Sequence, residues 1–483
     1  MKNRWIIKST ALFLCVFLSM EVLTGCAYSN LDEYLEILGF KDSEPVNTDA
    51  SSAEDTFVIT QDSVSSSEML QGLNDISSMY ASSGELTEPE ESEFIGEEAD
   101  EDAADSKFSS FYKRFNSVDL SAEMQEKRNE IGLTADNIPL LKEQQKGLYA
   151  YERLTEYGKT LYVELLTIMQ NTAENILVST TSDEAIDLVF DYVMADHPEL
   201  FYVDGYKYTN YTVNGEVTKV GFTGNYLYDD AEIARRQTLI NEYVNKCLAG
   251  APSSDDDYYA IKYVYEYLIR NTEYDIEAED NQNICSVFIG KRSVCNGYSK
   301  AAQYLLNKLG IECTLVTGTV TTKKSAGVRH AWNLVLCNDA YYYMDTTWGD
   351  SSYQTNNGEN ADSTRLPEVN YDYLCVTTQE LLNNHTISDE ISMPICNSMK
   401  DNYYVREDEY FVSPELSLVG ELFERRYNDG SQNVVIKCAS EYVYSELFEE
   451  LITQRKVFDY LEEYTSTVSY TTFADTNTII FWL

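Results

Sequence analysis

The sequence predicts an α+β fold, and three observations carry that reading. Apolar residues recur at helical spacing, as in Leu148, Tyr151, Leu154, Leu161, Leu165 and Ile168. Strand-like runs come in adjacent pairs joined by two residues, at Asn214-Gly215 and at Asn338-Asp339. An amphipathic run with Ala301, Ala302, Leu305, Leu306 and Leu309 starts just after Cys295, stops at Gly310 and leads into a strand over 311–320. The expected core is therefore a helix bearing Cys295 packed on an antiparallel sheet. A mostly helical region precedes it and a small α/β segment follows.

The first residues read as an export signal. Lys2, Arg4 and Lys8 precede a largely apolar stretch from Thr10 to Val22, interrupted by Glu21. Leu23-Thr24-Gly25-Cys26 follows and resembles a bacterial lipobox. That resemblance implies cleavage after Gly25, so that 1–25 is a lipoprotein signal peptide and Cys26 the lipid attachment site. The expected location is the cell membrane, anchored by lipid on Cys26 alone and facing the extracellular side. No later segment has the roughly 20 apolar residues of a transmembrane helix.

From Asp42 to Ser106 there is no Lys or Arg, and acids and serines dominate. Such a stretch buries too little apolar surface to offset ordering, so 26–107 is expected to be an acidic, disordered linker. Residues 108–252 read as a helical domain with a hairpin. Thr181-Ser182-Asp183-Glu184 fits a capping box, and Asp196-His197-Pro198 ends the helix it opens, with His197 as a structural cap. Strands are expected over 206–213 and 216–222, and a helix over 257–271. Strands over 331–337 and 340–345 complete a domain covering 253–395. Residues 396–483 form the small α/β segment, with strands near 433–438, 467–473 and 478–483 and helices between 440 and 463.

The formal net charge of −46 argues against a nucleic-acid partner, because phosphate recognition draws on Lys and Arg. The chain has ten cysteines. Those at 247, 285, 313, 337, 375, 396 and 438 show neither disulfide spacing nor Cys-x-x-Cys, and read as buried free thiols. The three histidines are scattered and lack ligand spacing. No metal or other cofactor is expected.

Cys295, His330 and Asp345 supply the thiol, imidazole and carboxylate that a cysteine nucleophile needs. At a helix N-terminus the thiolate of Cys295 would be favoured by the helix dipole, and first-turn N–H groups would face a developing oxyanion. Gly297 would leave room for a substrate carbonyl. If Asn338-Asp339 is a two-residue turn, Cys337 pairs with Ala340 and Trp332 with Asp345. His330 then lies one diagonal step from Asp345 on the same face. Trp332 would cover the site. Gln282 and Asn283 are both candidates for the oxyanion side chain.

These strings carry a family resemblance. Residues from roughly 258 to 350 resemble the transglutaminase-like superfamily, relatives of the papain-like cysteine enzymes. The matching strings are Cys295 at a helix start, His330-Ala331-Trp332, and Asp345-Thr346-Thr347-Trp348. Leu309-Gly310-Ile311-Glu312-Cys313 fits the helix-to-strand step. The resemblance implies a papain/transglutaminase-like core and acyl transfer through a thioester, with Cys295, His330 and Asp345 as the catalytic residues. Protein or peptide substrates, cell-wall peptide among them, and an amine or water acceptor follow from it; calcium does not. The alternative is a non-catalytic scaffold of the same fold that binds surface polymer without turnover.

Overall fold

The computed structural model describes residues 57–60, 122–213, 216–321, 326–350 and 367–483. The signal segment, Cys26 and the Asn214-Gly215 turn lie outside the described residues. So does the acidic stretch, apart from Phe57–Thr60. Two compact units are present. Among the described residues, one comprises 122–347 and 377–397, and the other 57–60, 348–350, 367–376 and 398–483.

In the first unit, the residues at helical spacing around 148–168 fall on two helical segments. A short turn over Tyr149–Glu152 stops, and helix α1 (Glu156–Gln170) restarts because Thr155 accepts a hydrogen bond from the Gly158 N–H. Helix α2 (Asp183–Asp196) is capped one residue later than the capping-box reading has it. Ser182, in extended conformation, accepts from the Ala185 N–H, while the Glu184 carboxylate receives the Ser182 hydroxyl. His197 caps the other end of α2 and shares a hydrogen bond with Glu199 at 2.7 Å. Strands Val203–Val213 and Glu216–Tyr226 pair antiparallel, Val213 opposite Glu216, as a two-residue connection demands.

Helix α3 (Asp257–Asn271) buries Ile261, Val264, Tyr265 and Leu268. Helix α4 (Cys295–Lys308) follows, and its C-terminus shows why Gly310 is needed. Gly310 adopts φ +83° while the Ile311 N–H reaches back to the Leu306 carbonyl and the Gly310 N–H to that of Asn307, a Schellman closure. The site sheet holds β1 (Cys313–Val320), β2 (Val328–Cys337), β3 (Ala340–Met344) and β4 (His385–Ile387), in spatial order β4-β1-β2-β3, all antiparallel.

Residues expected to form separate helical and catalytic domains are joined in this unit. Helix α2 and the 149–152 turn pack on β1. Buried Gln303 on α4 donates to the Ala195 carbonyl at 2.6 Å, and Tyr149 and Arg153 both donate to the Ser392 carbonyl.

The second unit is built on a five-stranded sheet ordered 57–60, 467–473, 478–482, 433–438, 410–411. Its members are antiparallel except for the parallel pair 410–411 with 433–438. Phe57–Thr60, expected to belong to the linker, is instead its edge strand. Helices Leu416–Asn428 and Glu441–Phe448 and strand residues Val434, Ile436, Ile479 and Phe481 bury a common core. Among the described residues no helix is long and apolar enough to cross a membrane.

Candidate active site

Cys295 is the first residue of α4. Intrahelical bonding begins with the Tyr298 N–H donating to the Val294 carbonyl, so the N–H groups of residues 295–297 precede the helical ladder. The helix is registered on the sheet by buried polar bonds. Ser299 donates its hydroxyl to the Ala331 carbonyl at 2.8 Å, and Asn333 donates its amide to the Ser299 carbonyl at 3.0 Å. Both partners lie on β2, within three residues of His330. Ser299 and Asn333 were not singled out in the sequence, where a buried serine in an amphipathic run carries no distinguishing mark.

The β2–β3 register is the expected one. Cys337 faces Ala340 and Asn333 faces Met344, which sets Asp345 beside Trp332 one step further along. His330 and Asp345 meet as that geometry requires, with Nε2 2.6 Å from Oδ2. Neither is accessible, His330 being 6% and Asp345 0% exposed, so water does not compete for their hydrogen bond. Cys295 is 7% exposed, and it acts on the His330 ring to raise its proton affinity. Asp345 is on Nε2, so a bond from the ring to Cys295 would use Nδ1.

Burial opposes a charged imidazole at His330, but the Asp345 carboxylate and then Cys295 outweigh it, so its proton is held well above the usual histidine range. Burial likewise opposes the Asp345 charge, yet His330 and His385 hold its pKa below the ordinary carboxylate value.

These shifts set a pH window. A raised His330 stabilises the fold fully below its unfolded pKa of about 6.5. That contribution fades as pH rises toward the higher folded value. The lowered Asp345 contributes fully above about 3.9 and loses that contribution as pH falls. Both describe one ion pair. The melting temperature of the wild type is therefore expected to decline above about pH 6.5, and His330→Gln to remove that part of the slope. Superimposable melting-temperature profiles of the two proteins would contradict the charge assignment.

Trp332 is fully buried, and its ring lies against His330 (centroids 5.9 Å apart) and against His385 (4.9 Å). Gly297 has a different role from the one expected. A Cβ there would sit 1.9 Å from Ser293 Oγ and 2.6 Å from Ser286 Oγ, a hydroxyl pair that is itself hydrogen-bonded. The space beside Gly297 is filled by protein rather than kept for substrate. Of the two oxyanion candidates, Gln282 is tethered to the residue after Cys295, accepting at Oε1 from the Asn296 amide at 2.6 Å. Asn283 instead accepts from the Cys285 N–H at 2.9 Å. All eight cysteines in the described residues are buried and free of disulfides.

The histidines, scattered in sequence, are gathered in space. His385 Nε2 lies 3.0 Å from the same Asp345 oxygen that His330 engages. Sequence reading passed over His385. The three groups offer ligand atoms within 4.8 Å of one another. A tetrahedral ion with bonds of about 2.0 Å would hold its ligand atoms about 3.3 Å apart, so the 2.6 Å His330–Asp345 contact fits a hydrogen bond better.

Residues 246–346 match the family model of the transglutaminase-like superfamily. They form a transglutaminase-like domain. Kyphoscoliosis peptidase of Mus musculus is similar to this chain, 25% identical over 128 residues, which are 24% of this chain and 19% of that protein. The match thus spans less than a fifth of that relative's length. Among solved structures, a TGase crystal structure aligns with 34% of this chain and 48% of its own at 17% identity, with a TM-score of 0.22. The matched residues include all three residues expected to be catalytic.

Proposed function

We propose that the protein is a cysteine acyl-transfer enzyme acting on peptide or glutaminyl carbonyls, with Cys295 as nucleophile, His330 as acid and base, and Asp345 as the group that orients His330. One observation carries this reading: the buried His330 imidazole lies 2.6 Å from the Asp345 carboxylate, and Cys295, the first residue of a helix, raises its proton affinity further.

Cys295 thiolate attacks the carbonyl carbon, forming a C–S bond. The tetrahedral oxyanion collapses, the C–N bond breaks, and His330 gives its proton to the departing amine or ammonia. Water or a second amine then attacks the thioester while His330 takes its proton, and the thiolate is restored. The first-turn N–H groups of α4 and the remaining amide hydrogen of Gln282 are suited to stabilise the oxyanion. The acidic composition and the Leu23-Thr24-Gly25-Cys26 string support a lipid-anchored protein working on extracellular protein or wall peptide.

The test is direct trapping. The full chain is mixed with glutamine-containing peptides and acid-quenched, and intact mass and peptide mapping locate any adduct. A hydroxylamine-labile adduct on Cys295 supports the reading, and partition of product between water and an added amine tells hydrolysis from crosslinking. No adduct with any peptide, from a protein whose Cys295 is alkylated readily, would favour the scaffold alternative.

A further inference from the structure

We infer that His385 is a positioning residue for this site: its Nε2–H holds Asp345 Oδ2 so that His330 is presented to Cys295, and the working unit is a Cys295–His330–Asp345–His385 chain. This rests on the roles proposed above for Cys295 and His330.

The geometry is specific. Asp345 Oδ2 has two imidazole nitrogens on it, His330 at 2.6 Å and His385 at 3.0 Å, which fills both of its lone-pair directions. Asp345 Oδ1 accepts the Thr347 N–H at 2.9 Å. The carboxylate is 0% exposed, so these donors stand in for water. Without His385 one direction on Oδ2 would be unfilled, and the carboxylate would be free to turn away from His330. His385 is itself locked. Its side chain is 0% exposed, the Asn384 side chain lies 2.5 Å from its Nδ1, and the Trp332 ring meets it edge-on at 80°.

The sheet is shaped to bring it there. His385 pairs with Val320, Val320 with Val328, and Gly318 with His330, so His385, His330 and Trp332 share one face across three strands. Gly318 is the gap that permits this. A Cβ there would lie 2.0 Å from the Thr386 carbonyl oxygen and 2.7 Å from the Trp332 ring. Any side chain at 318 would push β4, and His385 with it, away from Asp345.

The ionisable groups that act on His385 are Asp345 and His330. Burial pushes its proton affinity down, so His385 is the uncharged imidazole when His330 is charged. An uncharged ring can serve Asp345 only with the proton on Nε2, and Nδ1 must then accept, so the Asn384 amide beside it presents its NH₂ group to the ring.

The chain has three histidines, so ¹⁵N-histidine labelling of the full protein gives three rings, assignable by substitution. His385 Nε2 is expected to carry its proton from about pH 5 to pH 9, with a downfield signal that Asp345→Ala removes. A bare Nε2 on His385 in the wild type would overturn the proposal. Variants give the second arm, read as the pH dependence of Cys295 alkylation by iodoacetamide. His385→Phe, which has no donor, should slow alkylation at neutral pH by about tenfold and move the imidazolium transition by at least about half a pH unit. His385→Gln, which can donate an amide N–H, should recover most of the wild-type profile. A folded Phe variant with an unchanged profile, or equal loss in both variants, would sink the idea. Should the Phe variant not fold, the wild-type spectrum decides alone. Neither readout needs a substrate, so failure of the acyl-transfer reading would appear separately, as absence of the thioester.

Discussion

Asp345→Asn is expected to slow acyl-enzyme formation by roughly 10³–10⁴-fold, by analogy with the corresponding change in a serine triad, while leaving the fold intact. The carboxylate accepts from His330 and His385 on Oδ2 and from the Thr347 N–H on Oδ1. An amide has one accepting end. The Thr347 backbone donor cannot change its character, so the amide oxygen takes the Oδ1 position and the NH₂ group turns to the imidazoles. His330 Nε2 must then accept, which moves its proton to Nδ1, the nitrogen that a bond to Cys295 would use. A ring protonated there cannot take the thiol proton. The charge that held the imidazolium is gone as well. The check is the rate of thioester formation at neutral pH alongside the alkylation rate of Cys295. Retention of both within about tenfold of wild type would show that the orientation of His330 does not depend on the carboxylate.

The His330–Asp345 meeting was legible because strands have a period of two and a two-residue turn pins their register. Once Cys337 faces Ala340, the face of every residue on β2 and β3 follows. Helix α3 and the strand at 433–438 were legible for similar reasons, each being a periodic run with clear ends. His385 was not legible, since it lies forty residues beyond Asp345 on the far edge of the sheet, two strands from His330. Its place depends on the order β4-β1-β2-β3 and on the missing side chain at Gly318, and neither leaves a local pattern. Gly297 was misread for a related reason. Its neighbours Ser286 and Ser293 come from the preceding turn and strand, and only the folded chain shows that the space is taken. The joining of residues 122–252 to the Cys295 domain follows from the same kind of long-range contact, such as Gln303 with Ala195.

Cys295→Ala and His330→Ala should each reduce activity to the residual level, with the double variant no worse than either. In a serine triad the members act as a unit, each of the two key groups alone costing roughly 10⁶-fold. The effects on stability should differ sharply. Cys295→Ala deletes one thiol at the end of a helix whose packing is carried by Ala301, Ala302, Leu305 and Leu306. His330→Ala strips a wholly buried carboxylate of its partner at 2.6 Å, while His385 and the Thr347 N–H stay in place. Breaking a buried pair in this way costs about 3–5 kcal/mol, and the Trp332 ring loses its neighbour too. Equal activity with unequal stability is therefore the signature of a catalytic pair. It would be read from thioester trapping and denaturant unfolding on the same three proteins. If activity instead followed stability, with Cys295→Ala nearly fully active and only the His330 variants impaired, the His330–Asp345 pair would be a structural ion pair and the Cys295 sulfur a bystander.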